Sequence, residues 1–501
     1  MENQETKPIE LSESAFRELK PDEKYEPVMS PDKNYPEVNA WSVTWGVLMA
    51  VLFSAAAAYL GLKVGQVFEA AIPIAIIAIG LSSAAKRKNA LGENVIIQSI
   101  GACSGAIVAG GIFVMPAIYM LDLHADFLRI FIAAALGGVL GILFLIPFRK
   151  YFVKDMHGKY PFPEATATTQ VLVSGEKGGS QAKPLLMAGL VGGLYDFFLS
   201  TFGWWKEVLS TQAIPALQTF THNTKMMFSI NTGSAVLGLG YIVGLRYAFI
   251  IFAGSAFIWW CIVPLLGSMV PEMAEMAPDA IFKDYARSIG IGGIAMSGVI
   301  GIIKSWGVIK SAVGLAGKSF SKKGDEEKPV RTQKDISMKL LVFALTAALI
   351  VTFVFFWIGV IGNLTQAIVA FFVVVVIAFL FTTVAANAIA IVGSNPVSGM
   401  TLMTLIVAST IFVAIGLNGT QGIIASMVIG GVVCTALSMA GGMVTDMKIG
   451  YWLGSTPAKQ QTWKAVGTLV SAATVGGVIL LLNKAYGFTN PDVMAAPQAN
   501  A

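Results

Sequence analysis

Along this chain the apolar residues come in long unbroken runs parted by short polar stretches. Neither the every-second-residue alternation of strands nor the single apolar stripe of a soluble helix is present. A helix needs about 20 mostly apolar residues to cross a bilayer. Runs near that length cover 40–61, 68–85, 94–121, 127–148, 185–205, 230–245, 247–270, 286–313, 338–360, 364–384, 397–416, 420–443 and 463–483. They predict an all-α, polytopic integral membrane protein with about 13 transmembrane helices. Residues 1–39 are acidic and polar with no apolar signal-peptide core, which predicts a solvated cytoplasmic tail.

The polar stretches carry an orientation. Counted from an inside tail, Lys86-Arg87-Lys88 falls on the inner side, followed by Arg149, Lys150, Lys154 and Lys159. Lys318, Lys322, Lys323, Lys328, Arg331 and Lys334 fall there too, as do Lys448, Lys459 and Lys464. The opposite loops are poor in cations, and 271–284 carries Glu272, Glu275, Asp279 and Asp284. Cytoplasmic loops of membrane proteins are rich in Lys and Arg, so this count predicts a multi-pass protein of the cytoplasmic (inner) membrane with its N-terminus inside.

The runs also repeat. Cys103-Ser-Gly-Ala-Ile-Val-Ala-Gly-Gly-Ile112 resembles Cys434-Thr-Ala-Leu-Ser-Met-Ala-Gly-Gly-Met443 at an offset of about 331 residues. The same shift lays 40–61 on 364–384 and 127–148 on 463–483, and brings Pro163-Glu-Ala-Thr-Ala167 near Pro497-Gln-Ala-Asn-Ala501. The loop charges give the paired spans opposite directions, the plan of an inverted-topology repeat with its site between the copies. On this reading 1–39 is the tail, 40–360 the first repeat with a basic cytoplasmic loop at about 314–337, and 361–501 the start of a second, inverted repeat. Several spans follow the first proline motif and none follows the second, so a C-terminally shortened version of a longer architecture is expected.

Four polar interruptions are candidates for chemistry. In Tyr59-Leu-Gly-Leu-Lys-Val-Gly-Gln-Val-Phe-Glu69 two glycines bracket Lys63, with Gln66 and Glu69 close behind. A broken polar bend between spans exposes charges and backbone groups to a cavity. Lys63 suits a substrate carboxylate and Glu69 a proton or a substrate amine; the plain alternative is a water-facing outer loop. Pro161-Phe-Pro-Glu-Ala-Thr166 opens a helix too short to span, a re-entrant or interfacial segment, with Glu164 in its first turn and Thr166 behind it. Glu164 there complements the helix dipole, which is also its plain structural role. Asn387 and the stretch Gly393-Ser-Asn395-Pro-Val-Ser398-Gly mark a helix that breaks and restarts, the sequence signature of a broken-helix site or, more simply, of a tight turn. Last, Asp446 and Lys448 end an apolar run; an ionisable group at such depth is a functional candidate, while Lys448 has the length to snorkel to the headgroups.

Composition narrows the classes. The chain is 55% hydrophobic and 13% charged, against about 25% charged in soluble domains, so the bilayer is its solvent. Its 52 glycines suit close helix approach in lipid. Cys103, Cys261 and Cys434 stand singly within apolar runs, and the histidines stand singly in loops, so no metal site, cofactor or disulfide is expected. With no phosphate-binding Gly-x-x-x-x-Gly-Lys-Ser/Thr and no nucleophile–base pair, neither a nucleotide-driven pump nor an enzyme is indicated.

GLKVGQVFEAAIP (61–73), YPFPEATATTQVL (160–172), LGYIVGLRYA (239–248), SNPVSGMT (394–401), TDMKIGY (445–451), GSTPAKQQ (454–461) and APQAN (496–500) resemble, in order, segments of the oligopeptide transporter family. The likeness runs from about Asn39 to the last residue and points to the prokaryotic branch related to the yellow-stripe-like transporters. It implies a proton-coupled symporter importing short oligopeptides or related small metal-chelate compounds. The substrate candidates are then Tyr59, Lys63, Gln66, Thr166, Asn387, Asn395 and Ser398, and the proton-coupling candidates Glu69, Glu164 and Asp446. The partners implied are the small-molecule substrate, protons and membrane lipids, without nucleic acid; self-association as a homo-oligomer stays open. A passive channel or structural membrane subunit is the alternative, and a membrane-embedded enzyme a further one.

Overall fold

A computed structural model describes residues 11–64, 67, 70–123, 125–176, 182–206, 208–243, 245–290, 292–293, 296, 300, 303, 307, 330–393, 397–488, 496 and 499. Helices dominate because a chain in lipid has to satisfy its peptide groups within itself. In order they are α1 Ala40–Val64, α2 Ala71–Ala84, α3 Leu91–Gly101, α4 Cys103–Met120, α5 Phe127–Leu145, α6 Pro163–Glu176, α7 Ala182–Phe202, α8 Pro215–Thr224 and α9 Ser234–Val243. There follow α10 Leu245–Phe257, α11 Val263–Met269, α12 Pro278–Ile281, α13 Met338–Val354, α14 Leu364–Val392, α15 Val397–Ala414, α16 Gly419–Leu453 and α17 Pro457–Ala485.

Among the described residues nine helical stretches are long and apolar enough to cross a membrane: Ala40–Lys63, Leu91–Met120, Phe127–Phe148, Ala248–Met269, Arg331–Ile361, Leu364–Ile391, Val397–Ala414, Gly419–Leu453 and Pro457–Ala485. Each coincides with a run read from the sequence. The remaining four runs end differently. The run at 68–85 yields the 14-residue α2. That at 185–205 lies in α7, where the apolar helix Met187–Leu199 is short. The run at 230–245 holds the end of a strand and the 10-residue α9. Most of 286–313 lies outside the described residues. The all-α polytopic architecture therefore stands, and among the described residues three of the runs give shorter helices, because apolarity does not distinguish a crossing helix from a short packed one.

The chain divides into two compact units. The smaller, Lys183–Ile294, has a two-stranded antiparallel ribbon in which Val208–Ser210 pairs with Ser229–Asn231. Asp196 of α7 accepts from the Ser234 backbone N–H (2.7 Å) and hydroxyl (2.8 Å), which satisfies the first donors of α9. Its small core gathers Val263, Met273, Ile281 and Ala286.

The larger unit is centred on α16, of 35 residues, whose stretch from Val428 to Leu453 is buried throughout. Helices α3, α4, α5, α14, α15 and α17 pack around it. Small residues set these approaches. A Cβ on Gly137 of α5 would meet the Val432 carbonyl, and one on Gly467 of α17 would meet the Ile100 carbonyl. Gly110 of α4 faces Thr435, while Gly442 of α16 faces Ala106, so α4 and α16 run antiparallel.

The segment 11–39 departs from a solvated tail. Ala15 and Met29 are buried, and the Val28 and Met29 N–H groups donate to the Trp452 and Leu453 carbonyls at 3.2 and 2.8 Å. Trp452 Nε1–H returns a bond to the Ala15 carbonyl at 3.1 Å, and Tyr25 stacks on Tyr451. The last four carbonyls of a helix lack partners within it, and this strap supplies donors to the end of α16. Its polar composition conceals the apolar anchors at wide spacing.

Gly137→Ala and Gly467→Ala should each destabilise the purified protein by about 1–3 kcal/mol, the usual cost of overpacking. Gly477→Ala, where nothing lies within 4 Å, should be neutral. Melting temperatures in one detergent compare the three; equal values would show that these approaches have room to relax.

Candidate functional site

Two helix ends carry the same local construction. At the C-terminus of α14 the Ala390 carbonyl accepts the Phe162 N–H at 2.9 Å; at that of α1 the Leu62 carbonyl accepts the Ala496 N–H at 2.8 Å. Phe162 and Ala496 each precede a proline, and both take a left-handed backbone with φ of 43° and 37°. Such a conformation costs on the order of 1–3 kcal/mol away from glycine and persists only where surroundings impose it. Here it turns the N–H toward a carbonyl that the ended helix leaves open. Gly393 ends α14 at φ 76°, and a Cβ there would stand 3.1 Å from Pro163 Cβ.

The first of these nodes joins several sequence-derived candidates. Glu164 lies in the first turn of α6, half-buried. Thr166, also half-buried, donates through Oγ1 to the Pro161 carbonyl at 3.1 Å. Asn387, three residues before the accepting carbonyl, is half-buried with a buried Oδ1 that has no partner among the described residues. Ser398 lies in the first turn of α15, half-buried. At the second node Lys63 is half-buried in the last turn of α1, and Tyr59 is exposed. Gln66, Glu69 and Asn395 lie outside the described residues.

Asp446 belongs to α16. It is buried in α16, seven residues before the helix ends at Leu453, or about 10 Å inside that end at 1.5 Å per residue. Its Oδ2 pairs with the Lys464 ammonium, itself fully buried, and lies 3.4 Å from the Ser99 hydroxyl. Gln98 Nε2 donates to Oδ1 at 2.8 Å, and Gln460 Nε2 donates to the Asp446 carbonyl at 3.2 Å. Helices α3, α16 and α17 thus meet at one charged centre. Isolated charges there would cost several kcal/mol each, and pairing with further hydrogen bonds makes them tolerable.

Lys464 and Gln98 escape a reading by apolar runs. Lys464 counts there as a loop cation, because the run begins at 463. The helix begins at Pro457, a residue favoured in the first helical turn, and carries Lys464 two turns inside. The signal was present as a polar stripe: Gln460, Lys464, Thr468 and Ser471 recur at helical spacing, and all are buried. Lys448 is also corrected. Instead of snorkelling it is fully buried, donates to the Val153 carbonyl at 2.9 Å, and lies 4.9–5.4 Å from the ring centres of Phe162, Tyr451 and Trp452.

Outside this centre the same end is tied by further charges. Glu37 is buried and accepts from the Thr456 N–H (2.9 Å), the Thr456 hydroxyl (2.8 Å) and Arg331 (3.0 Å), placing a carboxylate at the start of α17 where the helix dipole favours it. Arg149 pairs with Asp335 at 2.5 Å, and Asp335 also accepts from Gln461. His157 Nε2 bonds the Ser14 carbonyl at 2.7 Å, fastening the strap. No group of three or more His, Cys, Asp or Glu side chains that could hold a metal ion occurs among the described residues.

Residues 37–501 match the family described as OPT oligopeptide transporter protein. A protein of Haemophilus influenzae (strain Rd), provisionally named an oligopeptide transporter, is 28% identical over 483 residues. That alignment takes in 88% of this chain and 74% of the other.

Burial holds His157 below the usual imidazole range, opposed by the bond to Ser14 and reinforced by Lys448. A lowered folded value favours the neutral ring, so its contribution to docking is full above the ordinary histidine pKa and lost as pH falls through the folded one. In a Cys261→Ser background, a nitroxide on Lys20→Cys should gain a mobile fraction between about pH 7.5 and about pH 5.5. Adding His157→Gln should flatten that response; an unchanged response would assign the strap's pH sensitivity elsewhere.

Proposed function

The chain belongs to the OPT oligopeptide transporter protein family, and from that premise we propose that it is a proton-coupled symporter carrying short oligopeptides, or related small metal-chelate compounds, across the cytoplasmic membrane. The observation that carries this reading is the buried Asp446–Lys464 pair, which Gln98 and Ser99 complete. A fixed carboxylate closed off from water and balanced by one ammonium is poised to exchange that balance for a proton. Neutralisation changes which arrangement of the surrounding helices is affordable in a medium of low dielectric.

The substrate is assigned to the two helix breaks. At the α14–α15 break, the proposed contacts are Thr166, Asn387, Asn395 and Ser398; at the α1 end they are Tyr59, Lys63 and Gln66. Lys63 would meet a peptide carboxylate, while the free backbone groups at a helix break suit polar or charged substrate ends. The parallel bonds from Phe162 to Ala390 and from Ala496 to Leu62 support two inverted copies of one unit, with rocking between them as the route to alternating access. Glu69 and Glu164 remain proposed proton carriers beside Asp446. The clustered cations at Lys86–Lys88, Arg149–Lys159 and Arg331–Lys334 support a cytoplasmic N-terminus. The name of the Haemophilus relative favours peptides as the substrate class.

Proteoliposomes with a trapped pH dye test this directly. Mixed short peptides should acidify the lumen saturably, and iron chelates offered separately decide the second substrate class. Asp446→Asn should reduce substrate-driven acidification at least tenfold, or about 1.4 kcal/mol in coupling. If Asp446→Asn, Glu69→Gln and Glu164→Gln all keep wild-type acidification, proton symport through these groups is excluded.

A further inference from the structure

In the smaller unit, the segment 203–233 that joins α7 to α9 is apolar over much of its exposed surface. From Val208 to Thr224 it holds no Asp, Glu, Lys or Arg. Its ribbon exposes Phe228 and the opposed pair Leu209 and Ile230. On α8, at about 3.6 residues per turn, Leu217, Phe220 and the buried Thr221 share one arc, and Leu217 and Phe220 are exposed. Thr219, His222 and Asn223 fall on the other arc, also exposed. An apolar patch of this kind marks a contact with protein or with membrane.

Three observations choose between them. The Met227 carbonyl accepts the Trp260 Nε1–H at 3.1 Å, and Phe228 stacks on the Trp260 ring. Lys225 lies against Gly267 and donates to the Met276 carbonyl at 2.9 Å. Trp260 and Gly267 both belong to Ala248–Met269, so the segment packs alongside a stretch able to span the membrane rather than beyond it. Next, Trp204 is exposed and stacks on Phe198, and indole rings favour the headgroup layer. Last, a two-stranded ribbon leaves outer backbone groups that hydrated headgroups can satisfy and hydrocarbon cannot. A protein partner would account for the apolar arc alone. The boundary between acyl chains and headgroups accounts for all of these features together.

We propose that α8 and the ribbon form an interfacial anchor of the smaller unit, at the Met269 end of that stretch. Leu217, Phe220 and Ile230 enter the acyl-chain boundary, and the Thr219–His222–Asn223 arc stays among the headgroups. Many interfacial helices use Lys and Arg to reach anionic lipid. Here the anchoring surface is uncharged, so apolar burial carries the contact and zwitterionic lipid suffices.

The test uses the whole chain carrying Cys261→Ser, reconstituted in vesicles of phosphatidylcholine alone. Cys103 and Cys434 are buried, so a thiol-reactive fluorophore reports on Leu217→Cys, Phe220→Cys or Thr219→Cys, one at a time. The quenchers are aqueous iodide and a phospholipid with a nitroxide near the headgroup end of its acyl chain. The lipid nitroxide should quench at Leu217→Cys and Phe220→Cys about threefold more strongly than at Thr219→Cys, and iodide should give the reverse order. Equal iodide quenching at all three positions would place α8 in water and overturn the proposal. Labels at Leu217→Cys and Phe220→Cys that neither quencher reaches would show a cover of protein, such as a second copy, and overturn it as well. Should a helix variant fail to fold, Ile230→Cys on the ribbon is compared with Thr219→Cys and read in the same way.

Discussion

A bilayer offers no hydrogen-bond partner to a peptide group or a charge, and the larger unit is organised by that constraint. Helices meet most of it. What remains are the ends of broken helices and a few ionised side chains, and several of these among the described residues have a protein partner. The open carbonyls of Ala390 and Leu62 are taken by Phe162 and Ala496. The carboxylates of Asp446 and Glu37 are taken by Lys464 and by Arg331 with Thr456. The polar features that look anomalous in an apolar chain are thus arranged as mutually satisfying sets.

Close helix packing makes those sets possible. Gly137 and Gly467 let α5 and α17 approach carbonyls of α16 and α3, and the second approach lies beside Gln98 and Lys464, which bond Asp446. Removing water strengthens the pair and raises the cost of breaking it on one side only. Glycine on these helices therefore bears on the electrostatics as much as on packing. A looser bundle would admit water, and a hydrated Asp446 would depend less on Lys464 as its partner.

Much of this architecture was legible from the order of the residues, and the exceptions share a cause. The nine long helices follow their apolar runs because lipid selects for length and apolarity together. The proline motifs and the Gly393 break were visible because proline and glycine punctuate helices wherever they occur. Lys464 was not, since a charge at the edge of an apolar run looks like the start of a loop until the helix is known to begin at Pro457. The segment 11–39 was misread for a related reason: the bonds that fix it use backbone groups and scattered anchors such as Ala15, Tyr25 and Met29. Composition registers how polar a segment is, and not which partners its peptide groups find.

The charged layers at this end differ in depth, and the difference bears on how each is held. Glu37, Arg331 and Thr456 lie at the start of α17, where Lys459, the nearby cation, is substantially exposed. Screening limits what the Lys459 contact contributes, but Glu37 is fully buried and Arg331 largely so, and losing that pair would leave a buried carboxylate uncompensated. Asp446 and Lys464 lie two turns deeper, where exposure is nearly nil and losing either charge alone leaves the other buried and uncompensated. Both layers hold this end through a buried carboxylate, the outer one partnered in part by a cation in contact with water and the inner one by a cation closed off from it.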